Sequence, residues 1–479
     1  MRRAEGSIVD ARRGERLSAA ALRREASRRA AVCAALGLGP GKRAALCREN
    51  GWELFADLFA VWEAGACAVV LDPGLPAPAL AAALERCGAE LVLTGRARPQ
   101  GAPPSPVWLD PGAESARLPG ERPRARPDDF ALILYTSGSS GEPKGVVHTH
   151  RGLAARLGAL RAQVGDRALR RTLCVLPACF GHGLIGNGLL PLLAGGELTI
   201  LPAAGASALA DLGRLIDDSR ATFMSSVPAI WRAGLRLSRP PRRGTLERVH
   251  CASAPLSAEL WRGMIEWTGG ADVRNVYGAT ETASWIAGSA LGQPPVDGLV
   301  GGGWGAELEL RDGEVWVASA SLMAGYDGRP DLTAERLRGG WYRTGDLGRI
   351  DAGGNLFLTG RTGETINRAG LKVEPQEVEL ALAAHPAVRD AFCFAALDEV
   401  AGQTVSAAIV LERPAERARV LAALDAWCRE RLPAYKVPTR WLIVPSLPLG
   451  PRGKLNRAEA ARSLAASGLQ PPSLKTQIA

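Results

Sequence analysis

A glycine- and hydroxyl-rich turn between two apolar stretches, residues 133–147, constrains this chain more than any other segment. An apolar run ends at Leu134, the turn follows, and a second apolar stretch begins just after Lys144. The glycines permit backbone shapes in which consecutive N–H groups point into one concavity. The hydroxyls and a fixed positive charge make that concavity suitable for phosphate oxygens. The predicted phosphate-binding residues are Thr136, Ser137, Gly138, Ser139, Ser140, Gly141 and Lys144.

This turn differs from the common GxxxxGK[ST] loop, because its lysine follows Pro143 and precedes Gly145. A flexible linker rich in glycine and serine is the alternative interpretation. The apolar flanks and the lysine favour the phosphate-binding turn.

Helical and strand patterns alternate along roughly the first 300 residues. An alanine-rich helix is predicted within residues 17–36, with Ser18 as its N-cap, and short apolar strands recur after it. This alternation predicts an α/β fold, in which a large N-terminal domain has parallel sheets covered by helices. From about Gly298 the pattern changes, and alternation around Asp312-Gly313 predicts a hairpin within a small β-structured part.

The domain boundary is placed near Gly363. Residues 1–362 are predicted to form the N-terminal domain, and residues 363–479 a smaller, mobile α+β domain whose first helix begins at Pro375. A stretch rich in proline and arginine, residues 96–129, is interpreted as a surface loop.

Composition excludes several classes of protein. The chain has 479 residues with 47% hydrophobic content, enough for a large domain and a small one. Its net charge is +9, but the arginines are scattered and not interleaved with aromatic residues, so no nucleic-acid partner is expected. No apolar run approaches the roughly 18 residues that span a bilayer. The nine cysteines form no CxxC pair and are expected in the core of a cytoplasmic protein.

The turn at residues 133–147 resembles the signature loop of the adenylate-forming superfamily. This superfamily includes acyl- and aryl-CoA ligases, the adenylation domains of peptide synthetases, and luciferases. Further stretches resemble the family in its own order from Leu17 to Arg457, so the resemblance covers nearly the whole chain. It implies ATP-dependent activation of a small carboxylic acid, with Mg²⁺ as cofactor and transfer of the acyl group to a thiol.

A second motif lies at residues 275–281, directly after a predicted strand and so at the carboxyl edge of the sheet, where open α/β folds bind ligands. Tyr277 offers a flat face for a purine, Thr280 can bond a phosphate, and Glu281 can hold Mg²⁺. A solvated turn is the alternative, but the segment resembles the family's Tyr-Gly-x-Thr-Glu element. Nucleotide binding is assigned to Asn275, Tyr277 and Gly278, and catalytic roles to Thr280 and Glu281.

Two charged residues resemble the family's ribose-binding groups. Residues 341–346 resemble its Tyr-Arg-Thr-Gly-Asp element, and a carboxylate such as Asp346 can accept two hydrogen bonds from a cis-diol. Arg361 matches an arginine that the family places near ribose and phosphate. Either residue alone would be interpreted as an ordinary surface charge. Residues 251–260 resemble a strand-turn-helix that borders the adenine, and its turn contains Ser253, Ala254 and Pro255.

The resemblance also implies a role for the C-terminal domain. Residues 449–457 resemble the element that carries the family's adenylation lysine, here Lys454. Gly370 matches a glycine that borders the thiol tunnel in CoA-using relatives. The chain departs from the family pattern at Gly363, commonly Asp or Lys, and at Asn367, often lysine. A glycine can absorb the backbone rotation of a hinge without steric clash.

Residues 177–187 carry the substrate signal. They contain no carboxylate to pair with an ammonium group, so an α-amino acid substrate is disfavoured. His182 is placed beside the substrate carboxylate, on the position of the motif, and a structural histidine is the alternative. Three tryptophans are predicted to line a flat pocket or to pack in the core, and they are Trp231, Trp285 and Trp304.

The acyl acceptor stays open at this stage. CoA is favoured, the phosphopantetheine arm of a carrier protein is second because it presents the same thiol, and an amine is third. A non-catalytic nucleotide-binding relative and a luciferase-like oxygenase are the remaining alternatives. The first is disfavoured because Lys144, Glu281, Asp346, Arg361 and Lys454 occur together.

Overall fold

The computed structural model describes residues 6–11, 13–98, 106–114, 125–137, 143–201, 206–368, 371–398, 402–413, 417–447, 460–461 and 463. Within these ranges the chain forms three sheets, with helices packed on the two larger ones and a further pair of helices beside the third.

Strands and helices alternate through the first part of the chain. In chain order they are β1 (Ser7–Asp10), β2 (Arg16–Ser18), α1 (Ala19–Ala35), β3 (Arg43–Leu46), α2 (Trp52–Glu63), β4 (Cys67–Val70), α3 (Ala77–Cys87), β5 (Leu91–Leu93), β6 (Val107–Leu109), β7 (Phe130–Ser137), β8 (Pro143–Thr149) and α4 (His150–Val164).

The alternation continues through the central part. Its elements are β9 (Arg171–Cys174), a π-helical segment (His182–Leu189), α5 (Leu190–Ala194), β10 (Glu197–Ile200), α6 (Ala206–Ala210), α7 (Leu212–Ser219), β11 (Phe223–Ser226), α8 (Pro228–Leu237), β12 (Arg248–Cys251), α9 (Ala258–Trp267), β13 (Asp272–Ala279), a 3₁₀ turn (Thr280–Thr282) and β14 (Ser284–Gly288).

Strands dominate the remainder. They and the intervening helices are β15 (Leu299–Gly303), β16 (Glu307–Arg311), β17 (Glu314–Ala318), β18 (Gly325–Tyr326), α10 (Pro330–Arg336), β19 (Leu337–Arg338), β20 (Trp341–Ile350), β21 (Leu356–Arg361), β22 (Ile366–Arg368), β23 (Leu371–Val373), α11 (Pro375–Ala383), β24 (Val388–Asp398), β25 (Gly402–Leu411), α12 (Arg417–Arg431) and β26 (Arg440–Ile443).

The largest sheet changes character along its length. Strands β13, β12, β11, β9, β10 and β1 are parallel neighbours, whereas β13, β14, β15, β21, β20, β17 and β16 follow as antiparallel neighbours. A second sheet has the order β18-β8-β7-β4-β3-β5-β6, and a third contains β22 to β26. The predicted α/β class, with a β-structured part and a smaller C-terminal unit, is confirmed. Strand β13 stands where parallel pairing gives way to antiparallel pairing.

Asn50 joins the two larger sheets. Its side-chain nitrogen donates to the carbonyls of Leu176 and Leu201, both at 2.8 Å, and its oxygen accepts from the backbone of Ala178 at 2.7 Å. All of these groups are buried, so their hydrogen bonds are well protected from water. The segment that leads into His182 is therefore anchored to the second sheet.

Local predictions hold where one residue decides the geometry. Ser18 caps α1 by accepting a hydrogen bond from the backbone of Ala21. Asp312 and Gly313 both have positive φ (52° and 78°), as the two-residue hairpin between β16 and β17 requires.

The interpretation of residues 96–129 as a loop is wrong at one point, because Val107–Leu109 forms a strand that pairs with β5. That run is too short to show a period in the sequence.

The third sheet begins just beyond the predicted boundary. Arg361 ends β21 of the largest sheet, Gly363 has φ 82°, and Ile366 begins the third sheet. No helix in the described ranges is both long enough and apolar enough to cross a membrane. All nine cysteines are buried and free of disulfides, as the sequence predicts.

Candidate active site

The β7–β8 hairpin presents the predicted phosphate-binding turn. Its register pairs Thr136 with Lys144, so the two ends of the turn lie side by side. The backbone of Ser137 is placed at the end of β7, whereas the predicted Gly138, Ser139, Ser140 and Gly141 lie outside the described residues. The hairpin therefore brings one hydroxyl and one ammonium group to the same edge of the second sheet.

Tyr326 connects that hairpin to the predicted magnesium residue. Its hydroxyl donates to Glu281 Oε1 at 2.7 Å, and the Lys144 ammonium lies 5.8 Å from the centre of its ring. Burial and the neighbouring Glu281 carboxylate raise the pKa of Tyr326, so its hydroxyl stays a donor at neutral pH. Sequence reasoning missed Tyr326, because only the pairing of β18 with β8 brings it there and no motif surrounds it.

Glu281 fits a magnesium site of the kind that uses one carboxylate together with nucleotide phosphates. Its carboxylate is held by Tyr326, and its backbone carbonyl accepts from Met323 at 2.8 Å. Thr280 and Glu281 lie in the 3₁₀ turn that follows β13. Among the described residues, no cluster of three or more histidine, cysteine or acidic side chains could hold a metal by itself.

Tyr277, Asp346 and Arg361 form a second charged group. The Tyr277 hydroxyl donates to Asp346 Oδ2, and Arg361 Nε lies 2.7 Å from Asp346 Oδ1. The register of β20 and β21 sets Asp346 directly opposite Arg361. Burial raises the pKa of Asp346, while Arg361 and Tyr277 favour its ionised form. The sequence predicts that the Tyr277 ring faces a purine, and the structure adds the bond from its hydroxyl to Asp346, which the sequence does not predict.

Asn275 and Gly278, which are predicted to bind the nucleotide, stabilise the backbone around β13. Asn275 is buried, and its side-chain nitrogen donates to the carbonyl of Leu299 at 2.6 Å. At Gly278 a Cβ atom would lie 2.1 Å from the carbonyl oxygen of Ser284, so only glycine allows β14 to approach. Both residues therefore shape the strand that carries Tyr277 and the 3₁₀ turn.

His182 lies at the start of the π-helical segment with both ring nitrogens engaged. Nε2 is 2.7 Å from Ser225 Oγ, and Nδ1 is 3.0 Å from Ser253 Oγ. Ser253 belongs to the predicted adenine-bordering turn; it has φ 71° and is exposed together with Ala254 and Pro255. The serine thus joins the predicted adenine edge to the predicted acid-binding histidine, and Ser225 is a contact that sequence reasoning missed.

The three predicted tryptophans separate into two groups. Trp285 meets His182 edge to face at 5.3 Å and packs with the rings of His250 and Phe223, and Trp304 packs against His250. Trp231 instead packs against Trp267 in a separate core cluster. The core interpretation therefore holds for all three, since each is buried in a hydrophobic core cluster, and Trp285 in addition packs against His182.

This aromatic cluster is tightly packed and buried. A Cβ atom at Gly186 would lie 2.8 Å from the Trp285 ring, so the π-helical segment touches the indole directly. Burial lowers the pKa of His250 well below its ordinary value, which keeps this imidazole neutral. Lys454 and Gly370, which sequence reasoning assigns to adenylation and to the thiol tunnel, lie outside the described residues.

Comparison with known proteins identifies what the chain is similar to. The family model described as AMP-binding enzyme matches residues 2–327, and that of the AMP-binding enzyme C-terminal domain matches residues 377–454. The feruloyl-CoA synthase of an Amycolatopsis species is 31% identical over 477 residues, which cover 94% of each chain.

The chain also matches part of a much longer protein. The phosphinothricin tripeptide synthetase PhsC of Streptomyces viridochromogenes is 33% identical over 91% of this chain, and the match spans 42% of the synthetase. Among solved structures, the o-succinylbenzoate coenzyme A synthetase of Bacillus subtilis in complex with ATP and magnesium has a TM-score of 0.85 at 25% identity. That match covers 95% of this chain and 96% of the other.

Proposed function

This chain belongs to the AMP-binding enzymes, and on that premise we propose that it activates a carboxylic acid with ATP and transfers the acyl group to the thiol of CoA. The observation that carries the proposal is that two hydrogen-bonded groups gather around β13 and the turn that follows it. Glu281, in that turn, is held by Tyr326 beside Lys144, and Asp346 is held by Arg361 and by Tyr277, which lies in β13.

These groups suit a nucleotide whose ribose and phosphates extend from one to the other. Asp346 accepts from the ribose hydroxyls, and Arg361 keeps its carboxylate ionised and oriented. Lys144 and the Gly/Ser turn bind the outer phosphates. Glu281 would hold a magnesium ion, which would supply neutralisation of the phosphate charge and polarisation of the reacting phosphoryl group.

His182 positions the acid for the first half-reaction. Ser225 fixes Nε2, and Nδ1 exchanges its contact with Ser253 for the substrate carboxylate, which the imidazole then directs towards the α-phosphate. A carboxylate oxygen forms a bond to the α-phosphorus, and the bond to the departing pyrophosphate breaks. Lys454 stabilises the negative charge of that crowded transition state.

In the second half-reaction a thiol sulfur bonds to the acyl carbon, the bond to AMP breaks, and the thiol proton passes to solvent. We assign the face containing Gly370 to the approach of the thiol after the C-terminal domain, residues 363–479, rotates about Gly363. CoA is the preferred acceptor because the feruloyl-CoA synthase matches over 94% of its length. A carrier-protein phosphopantetheine is the second candidate, favoured by the match to a peptide synthetase.

The same proposal places the protein in the cytoplasm. Its support is that all nine cysteines are buried and form no disulfide, which suits a reducing compartment.

The test is AMP formation from ATP and Mg²⁺ with a panel of aryl, aliphatic and amino acids, with and without CoA. AMP that rises with one acid only when CoA is present supports the proposal and identifies the acid. AMP formation that is the same with and without CoA indicates that the acceptor is a carrier protein or an amine. The absence of AMP formation with every acid in the panel contradicts acid activation.

A further inference from the structure

Arg156 is a fully buried arginine that no sequence motif singles out. It lies in α4, the helix that follows the β7–β8 hairpin, and its side chain is among the largest that are completely shielded from water. In the described part of the chain, no carboxylate is among its hydrogen-bond or ion-pair partners. A buried ion without a counter-charge is strongly disfavoured, so its neutral contacts must be good and its place in the fold well defined.

Its guanidinium donates only to carbonyls and hydroxyls. Nη1 donates to the carbonyl of Trp304 at 2.6 Å and to that of Trp285 at 3.0 Å. Nη2 donates to Ser321 Oγ at 2.6 Å and to Ser319 Oγ at 2.9 Å, and Nε donates to Ser321 Oγ at 3.0 Å. The planar fork therefore joins three chain segments that are far apart in sequence.

One of these contacts leads to the magnesium-binding turn. Because arginine only donates, Ser321 Oγ accepts from Arg156, and its own proton is shared between the carbonyl of Thr282 at 3.2 Å and Ser319 Oγ at 3.0 Å. Two residues further on, Met323 donates to the carbonyl of Glu281. Residues 321–323, which Arg156 contacts through Ser321, therefore bond to the backbone of the turn Thr280–Thr282.

The other contact leads to the acid side. Arg156 donates to the backbone carbonyl of Trp285, and the ring centre of Trp285 lies 5.3 Å from that of His182. One side chain therefore links the backbone near Glu281 to the wall behind His182. Burial lowers the pKa of Arg156 to about 10, which leaves it charged at neutral pH, so these are charge-assisted hydrogen bonds.

We propose that Arg156 is a positioning residue, which fixes the Glu281 turn against the Trp285 wall and thereby sets the affinity for the magnesium-bound nucleotide. The proposal rests on the proposed function, since it needs a nucleotide at this site. It requires no contact between Arg156 and any substrate.

The test compares two ligands on purified full-length protein by calorimetric titration. The first probe is α,β-methylene-ATP with Mg²⁺, which engages the Glu281 turn, and the second is AMP without metal, which engages Asp346. Arg156→Lys, which keeps the charge and removes the fork, should weaken the first probe about 10-fold and leave AMP within about 2-fold.

A matched pair of serines isolates the link to the turn. Ser321→Ala removes the hydroxyl that reaches Thr282 and should weaken the Mg²⁺-dependent probe about 5-fold. Ser319→Ala removes a hydroxyl that contacts Arg156 and Ser321 but donates to Gly305 and does not reach Thr282, so it should weaken the Mg²⁺-dependent probe less than Ser321→Ala does and leave AMP within about 2-fold. Because misfolding reduces the fraction of protein that binds and leaves the Kd unchanged, a changed Kd separates positioning from simple stability.

Each remaining outcome counts against the inference. Unchanged affinity for the Mg²⁺-dependent probe in Ser321→Ala overturns it, even if Arg156→Lys fails to fold. Equal weakening of AMP in Ser321→Ala also overturns it, because the effect would then be general. If the wild-type protein binds neither probe, the proposed function itself is wrong, and the inference about Arg156 is then wrong as well.

Discussion

The two halves of the candidate site differ in chemistry. The nucleotide half is built from charged side chains and the neutral tyrosine hydroxyls that bond to them, namely Lys144, Tyr277, Glu281, Tyr326, Asp346 and Arg361. The acid half is built from neutral groups, namely His182, Ser225, Trp285 and His250, and Ser253 joins His182 to the predicted adenine edge.

The difference shows how each half recognises its ligand. Phosphates and a ribose are the same in every reaction of this kind, so a few charged groups with fixed geometry suffice. A carboxylic acid is recognised mainly by the shape of its pocket, and shape is set by the packing of neutral side chains. Selectivity for the acid is therefore expected to depend on packing, and affinity for ATP on charges.

The largest expected effect concerns the lysine that would act between the two halves. Lys454→Ala should reduce adenylation by roughly 10²–10³-fold, the scale of one lost preorganised contact to a developing charge. Thioester formation from supplied acyl-adenylate should persist, because the role that we propose for Lys454 is confined to adenylation. Pyrophosphate release and thioester formation are measured separately.

Lys436→Ala serves as the control, since Lys436 pairs with Glu377 in the same C-terminal unit and lies outside the proposed chemistry. Equal loss of both half-reactions in Lys454→Ala would contradict the role assigned to Lys454.

The second effect concerns the buried histidine behind the nucleotide half. Burial lowers the pKa of His148 from 6.5 to about 4, with the backbone of Thr280 opposing that change. The unfolded chain then binds more protons between these values, so stability is complete above pH 6.5 and falls as the pH drops towards 4. At roughly 1.4 kcal/mol per pKa unit, the loss is about 3 kcal/mol.

Urea unfolding of the wild type and of His148→Gln between pH 7 and 4 measures this loss in the free energy of unfolding. His148→Gln should show a flatter dependence of the free energy of unfolding on pH. His385→Gln is the control, because His385 is only partly buried and its substitution should alter the slope less. Identical slopes for His148→Gln and the wild type would show that His148 does not carry this dependence.

The third effect tests the charged character of the nucleotide half. Asp346→Asn should weaken AMP binding by about 10- to 100-fold, because hydrogen bonds to a charged group are worth roughly 1.5–3 kcal/mol. It should leave the KM for the acid nearly unchanged. Asp312→Asn, in the β16–β17 hairpin, is the matched control and should bind AMP as the wild type does. An acid KM that rises as much as the AMP Kd would mean that the two halves are not separate.

The smallest effect tests the neutral character of the acid half. His182→Ala should raise the KM for the acid by about 10-fold, since one hydrogen bond to a carboxylate is lost. AMP affinity should fall less than the affinity for the acid, because His182 touches the predicted adenine edge only through Ser253 and the other residues assigned to the nucleotide do not contact it. Steady-state kinetics with the acid found in the panel, beside AMP titration, measures both. A larger loss for AMP than for the acid would reverse the assignment of the two halves.

The two halves also differ in how far sequence could predict them. Lys144, Glu281, Asp346 and Arg361 stand in short motifs, because each role demands one side-chain type at one point of a turn or strand. Tyr326, Ser225 and Arg156 carry no such pattern. They reach the site only through the pairing of β18 with β8, the position of β11 beside β12, and the packing of α4.

By itself the sequence predicted the alternation of helices and strands and the turn chemistry at Ser18 and Asp312-Gly313, and it singled out the charged residues that we assign to the nucleotide half. These depend on local backbone preference and on motifs that local spacing reveals. Only the tertiary structure decided that Trp285 packs against His182 whereas Trp231 lies in a separate core cluster, and that the buried Arg156 donates to both Trp285 and Ser321. Such choices depend on contacts between residues far apart in the chain, and no local pattern records them.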